Sequence, residues 1–244
     1  MASLTNRSKY FDNAKLILIF LVVFGHVISP LKDNDSILFT LYSVIFLFHM
    51  PAFIFISGFY SKGYRKKGFF FKSIKIVLIP YIIFQVIYSF FYYYKGGDAK
   101  LNINLLQPHW TLCFLLSLFC WNMLLIVFGR LRWYGLAIAF AVGIAAGYFP
   151  NIGGYLSLSR TLVFFPYFLF GFLLDREHIK NLEKSKFSLP LGLTIISVTL
   201  VVFGVAFPKD AVPWLLGSQS YAGMGEEHFW DGFIRAGQYA LPLM

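Results

Sequence analysis

A chain of 244 residues that is 58% hydrophobic, 20% aromatic and 13% charged carries about half the charged share of a soluble globular domain. Thirty Phe and fifteen Tyr, with a mean hydropathy of +0.68, would leave a water-facing surface far too apolar, which excludes a soluble single domain and points to lipid. The net charge of +10 does not imply nucleic acid, because Lys and Arg fall in short clusters between apolar runs, as in the cytoplasmic loops of membrane proteins.

In chain order, the first apolar run is Leu16 to Leu31, preceded by Arg7, Lys9 and Lys15. It ends in Ile28-Ser29-Pro30 with no small-x-small cleavage site, so it reads as a retained transmembrane helix rather than a signal peptide. Further runs cover Ile37 to Tyr60, Phe69 to Tyr94, Trp110 to Phe128, Trp133 to Phe149, Thr161 to Leu174 and Leu189 to Phe207. Most approach the roughly 20 residues needed to cross the hydrocarbon core. A last stretch, Phe229 to Met244, holds Asp231 and Arg235 at i, i+4 and reads as a cut eighth span. The expected fold is one all-α domain over residues 1–244, a polytopic transmembrane helix bundle of seven spans plus a truncated eighth. Cys113 and Cys120 lie in one apolar run, roughly 10 Å apart if helical, and cannot bridge each other.

Sidedness follows from the loops. One alternate set holds Arg7, Lys9, Lys15, Lys62, Arg65, Lys66, Lys67, Lys72, Lys75, Arg130, Arg132, Arg176, Lys180, Lys184 and Lys186. The other holds Lys32, Lys95, Lys100, Arg160 and Lys209. The excess on the first set places the amino terminus in the cytoplasm of a multi-pass cell-membrane protein.

Ionisable groups inside spans are costly and therefore candidates for function. Lys15 and His26 are separated by about three helical turns, close to one face and roughly 16 Å apart along the axis. That spacing suits a cytoplasmic anchor with a deep base, or a snorkelling lysine with a histidine bonded to a neighbouring helix. His49, in Phe48-His49-Met50-Pro51, is expected at a depth comparable to His26, as half of an imidazole pair or as a structural hydrogen bond. Ser57-Gly58 permits close helix approach. Lys72 and Lys75, at i and i+3, form with Lys15 a positive boundary suited to phosphate groups or to anionic lipid headgroups. His109 opens the fourth span on the outer side. Arg160 opens the sixth, placed to hold an anionic group of an external substrate or to pair with Glu226, Glu227 or Asp231. No Walker loop, HExxH, Gly-x-Ser-x-Gly or Cys/His cluster of metal spacing occurs, so no metal is expected.

The string Tyr10-Phe11-Asp12-Asn13-Ala14-Lys15 followed by Val22-Val23-Phe24-Gly25-His26 resembles the opening of the membrane-bound acyltransferase family 3, in the branch of fucose 4-O-acetylase-like and polysaccharide O-acetyltransferases. Phe48-His49-Met50-Pro51, Phe55-Ile56-Ser57-Gly58-Phe59, Lys72-Ser73-Ile74-Lys75 with Pro80-Tyr81, His109-Trp110, and Arg160 ahead of Phe165-Pro166-Tyr167-Phe168-Leu169-Phe170-Gly171 follow in family order. The resemblance implies a bundle of about ten helices that moves an acyl group, usually acetyl, from cytoplasmic acyl-CoA to a carbohydrate. It implies His26 as catalytic base. It places Lys15 where the family has the Arg of Arg-x10-His, and Lys72 and Lys75 where it has Arg-x-x-Arg, which keeps charge but loses bidentate phosphate contacts.

The expected function is thus a membrane O-acyltransferase using acetyl-CoA or another acyl-CoA. The base is His26, the donor sites are Lys15, Lys72 and Lys75, and the substrate contacts are His49, His109 and Arg160. The expected partners are a carbohydrate acceptor, membrane lipid and glycan synthesis machinery, not nucleic acid. A transporter or glycan export component is the alternative.

Overall fold

The computed structural model describes residues 9–96, 101, 103–150, 157–225, 228, 230–240 and 242. Arg7, Lys100, Glu226, Glu227 and part of the Phe229 to Met244 stretch lie outside the described residues. Every described element is helical. Helix α1 spans Lys9–Ile28 with Asp12 in its first turn. Helix α2 spans Ser36–Tyr60 and starts at Asp35, whose carboxylate accepts from the Ile37 and Leu38 amides at 2.6 and 3.1 Å. That satisfies two of the donors a helix start leaves open. Helix α3, Phe69–Ser73, continues through a π turn, Ile74–Leu78, into α4, Ile79–Tyr94. Then follow α5 (Cys113–Ala145), α6 (Leu158–Leu173), α7 (Arg176–Lys184), α8 (Ser188–Ala206), α9 (Val212–Leu216) and α10 (Asp231–Ala240).

Among the described residues, five apolar helical runs are long enough to cross a membrane: Tyr10–Ile28, Ser36–Tyr60, Phe69–Tyr94, Cys113–Tyr148 and Ser188–Ala206. The sequence divides the same length into seven, and two features account for the difference. Helix α5 is not one rod, because Arg132 has φ 51 and ψ −126 and breaks the helical path. Before the break, Ser117 and Trp121 bond to Thr161 near the start of α6. At the break Trp133 packs on Phe170 near its end, and beyond it Gly143 lies under the Leu162 carbonyl. The chain folds back at Arg132, so Trp110 to Phe128 and Trp133 to Phe149 are two crossings. The other feature is α6, only 16 residues long but buried at ten of them, from Ser159 to Gly171. A helix clasped by protein on all sides need not match the thickness of the lipid. The eighth run is described only as α10, ten residues, about half the length of a span.

Helix α6 is the axis of the molecule. A Cβ on Gly58 would strike the Phe168 carbonyl oxygen and a Cβ on Gly171 the Phe55 carbonyl oxygen, and Lys62 just past α2 bonds to the Leu174 carbonyl just past α6, so the two helices run in the same direction and cross with their backbones touching. Small residues give this approach in membranes, where lipid offers no hydrophobic drive and packing must hold helices together. On the other flank Trp121 Nε1 donates to the Thr161 carbonyl at 2.7 Å, the Ser117 and Thr161 hydroxyls meet at 2.8 Å, and Ser159 bonds to the Gly217 carbonyl at 2.9 Å.

The two cation sets separate to opposite ends. Lys62 bonds to Asp175 at 2.9 Å and to the Leu174 carbonyl, while Tyr64 rests against Gly129 and Phe172. At the far end Lys32 lies over the Tyr42 ring at 5.5 Å and Lys209 over Phe39 at 5.8 Å.

Candidate functional site

Along α1 the residues Lys15, Ile19, Val22, His26 and Ser29 recur at spacings of four and three, which places them on one helical face. Helix α2 answers with Tyr42, Phe46, His49 and Phe53 at the same spacings. Gly25 lets the two approach, since a Cβ there would come within 2.9 Å of the Phe46 ring. From Ile19 to Ser29 the first stripe, and all of the second, form the wall of a cavity of about 480 Å³, completed by Thr111, Phe114, Ser117 and Trp121 of the α5 region, Arg160 and Phe164 of α6, and Leu215 and Leu216 of α9.

Both suspected imidazoles are on that wall. His26 is partly buried and stands edge-on to Phe46 with ring centres 5.8 Å apart; His49 meets the same ring edge-on at 4.8 Å. His49 is 1% exposed, and its Nδ1 lies 2.5 Å from the Ile45 carbonyl oxygen one turn back. The comparable depth expected from span position is therefore realised as a shared chamber. Arg160 joins them from the start of α6, and its charge is felt at Tyr42, whose hydroxyl lies beside Ser29. Among the described residues that line this wall, Arg160 is the one Lys or Arg and there is no Asp or Glu. Of the partners considered for Arg160, Glu226 and Glu227 lie outside the described residues, and the Asp231 carboxylate accepts from the His228 amide at 2.9 Å.

The remaining candidates stand apart from the chamber. His109 is held by α4: its amide donates to Gln85 Oε1 at 2.9 Å, its Nε2 is 3.2 Å from the Ser89 hydroxyl, and its ring stacks on Tyr92 at 5.3 Å. Lys15 lies one turn below the lowest lining residue of its stripe, its ammonium 3.9 Å from the centre of the Tyr60 ring. Lys72 and Lys75 are exposed, on the α3 and π-turn segment that packs against α5. Outside the spans, Lys62 donates to Asp175 and holds that carboxyl below the usual aspartate range. Thr111, Trp121 and Phe164 belong to the wall although nothing in the sequence singled them out; His26, His49 and Arg160 are the wall residues that sequence reading had marked.

A family described as an acyltransferase domain matches residues 8–234. The chain belongs to that family. The nodulation protein NolL of Sinorhizobium fredii (strain NBRC 101917 / NGR234) is 28% identical over 188 residues, 70% of this chain and 50% of that protein. NolL of Mesorhizobium japonicum (strain LMG 29417 / CECT 9101 / MAFF 303099) is 43% identical over 65 residues, 25% of this chain and 17% of that protein. The chain thus spans half the length of the first relative, and its match to the second covers less. No solved structure matches.

Proposed function

We propose that the chamber is the site of a membrane O-acyltransferase that moves an acyl group, acetyl in the first instance, from acyl-CoA to a hydroxyl of a cell-surface or lipid-linked carbohydrate. The observation that carries this reading is the placement of His26 and His49 on one apolar chamber whose α1 stripe leads back to Lys15. The donor's phosphates would meet Lys15, Lys72 and Lys75, and its extended arm would run up the stripe over the roughly 16 Å that separate Lys15 from His26. The acceptor would enter from the end bearing Arg160.

A sugar hydroxyl is too weak a nucleophile unaided. In this reading His26 takes the hydroxyl proton as the oxygen bonds to the thioester carbonyl carbon. The carbon–sulfur bond then breaks, and the thiolate leaves with CoA and is reprotonated. An apolar wall suits this chemistry, because it keeps water from competing for the thioester. The loops carrying Arg65, Lys66, Lys67, Arg130, Arg132 and Arg176 are assigned to the cytoplasm. A cysteine at Lys66 should then resist an impermeant label in intact cells, whereas one at Asp210 should react.

The experiment is a transfer assay with the full-length protein in membrane vesicles, following free thiol from acetyl-CoA together with the O-acetyl content of the glycan. Thiol release that rises with glycan and tracks O-acetylation supports the reading. Glycan flux without thiol release would favour a transporter instead.

A further inference from the structure

Within the chamber wall, two polar groups already have partners: the Ser117 hydroxyl is shared with Thr161 and Trp121 Nε1 is given to the Thr161 carbonyl. His49 differs. Its Nδ1 lies 2.5 Å from the Ile45 carbonyl oxygen, and a carbonyl can only accept. Nδ1 therefore carries the ring proton, and the neutral imidazole presents Nε2 as a lone pair. Among the described residues no group donates to Nε2, and the small surface left to the ring belongs to the chamber. The structure thus holds a fixed hydrogen-bond acceptor in an apolar chamber and keeps it for an incoming donor.

We propose that His49 is a specificity-determining residue: its Nε2 accepts a hydrogen bond from a second O–H or N–H of the acceptor sugar, beside the hydroxyl that His26 activates, and so decides which hydroxyl faces the thioester. The inference rests on the carbohydrate acyltransferase reading of this chamber. Phe46 touches both imidazoles edge-on, at 5.8 and 4.8 Å, which puts them on one stretch of wall that a single sugar ring can meet. Phe53 and Phe114, half-buried on the same wall, supply aromatic surface for the apolar face of such a ring. Because Nδ1 is committed, His49 cannot turn its acceptor into a donor by changing tautomer without losing Ile45. It selects for acceptors that bring a donor and against those that lack one.

The test separates the two nitrogens. In His49→Asn the side-chain amide N–H replaces Nδ1–H toward Ile45 but nothing occupies the place of Nε2; in His49→Gln the side-chain carbonyl reaches that place. Full-length protein in nanodiscs is titrated calorimetrically with methyl hexosides and their monodeoxy forms, after thermal unfolding has shown each variant folded. His49→Asn should weaken binding of the parent glycoside by roughly 5- to 150-fold, the effect of one unsatisfied buried hydrogen-bonding group, and His49→Gln should recover part of it. One monodeoxy form should lose the same factor on the wild type and nothing further on His49→Asn.

Equal binding of the parent by wild type and His49→Asn overturns the proposal, as does no glycoside binding by the wild type, or the same loss on every monodeoxy form. Transfer of labelled acetyl is followed alongside. If the deoxy pattern appears but no acetyl moves, His49 keeps its role and the acyltransfer reading falls. If binding is unchanged and the pH dependence of transfer shifts in His49→Asn, His49 acts as a base and the proposal falls.

Discussion

Helix α2 has two working faces, and they are built in opposite ways. Toward α6 it presents Phe55 and Gly58, and backbone meets backbone with no room for a methyl group. Toward α1 it presents Tyr42, Phe46, His49 and Phe53, and side chains stand off around a chamber. Helix α1 itself exposes Leu16, Ile17, Phe20, Val23 and Val27 on its outer side, a surface for lipid. Packing is completed where rigidity is needed and withheld where a substrate must fit. Such a division is legible as a mechanism for holding two histidines steady on a wall that is otherwise empty space.

The largest expected effect tests the closed face. Gly171→Val should prevent accumulation of folded protein, and Gly171→Ala should cost about 1 to 3 kcal/mol or more, read by thermal unfolding in detergent, because the colliding atom is a backbone carbonyl that cannot swing away. Gly25→Ala on the open face meets side chains, the Phe46 ring at 2.9 Å and Ile45 Cγ2 at 3.4 Å, rather than backbone, and should cost less. Equal losses would erase the contrast. Next comes His26→Ala in the full-length protein, expected to lower acyl transfer by about 10² to 10⁴ with unfolding temperature unchanged. A variant that unfolds instead would make His26 part of the scaffold.

Smaller is the effect of Lys15→Gln combined with Lys72→Gln. Acyl-CoA binding should weaken and the remaining binding should respond less to salt, since screened charge contacts are removed. Unchanged affinity in an equilibrium binding assay would return these lysines to the lipid headgroups. Smallest is Asp175→Asn, which removes an exposed pair with Lys62 and should change stability by no more than about 1 kcal/mol. The native carboxyl lies below the usual aspartate range, so its contribution is present at neutral pH and disappears as pH falls through the native value. Wild type and variant should therefore converge in acid, which unfolding curves at neutral and acidic pH would show.

The faces of single helices were open to sequence reading because helical spacing is a local property. The stripe from Lys15 through His26, the depth of His49 and the small pair Ser57-Gly58 all follow from counting residues along one span. Pairings between helices were not. Nothing in Thr111 or Trp121 marks them as neighbours of His26, and the counterpart of Gly58 at Phe168 depends on which helix lies across from it. His109 was legible as an outer-side histidine at the mouth of a span, but its contacts with Gln85, Ser89 and Tyr92 of α4 were not. The division of α5 at Arg132 was legible only as charge between two apolar runs, since no residue type there demands a positive φ.

That fold-back has a consequence for where its two charges rest. Read straight through, the 36 residues from Cys113 to Tyr148 would form a rod of about 54 Å, well beyond a hydrocarbon core of about 30 Å. Doubled at Arg132, they form a hairpin with Arg130 and Arg132 at its tip, beyond the ends of both arms. Neither guanidinium then has to rest at mid-depth in the lipid, where the middle of a straight rod would hold both and where a charge is costly.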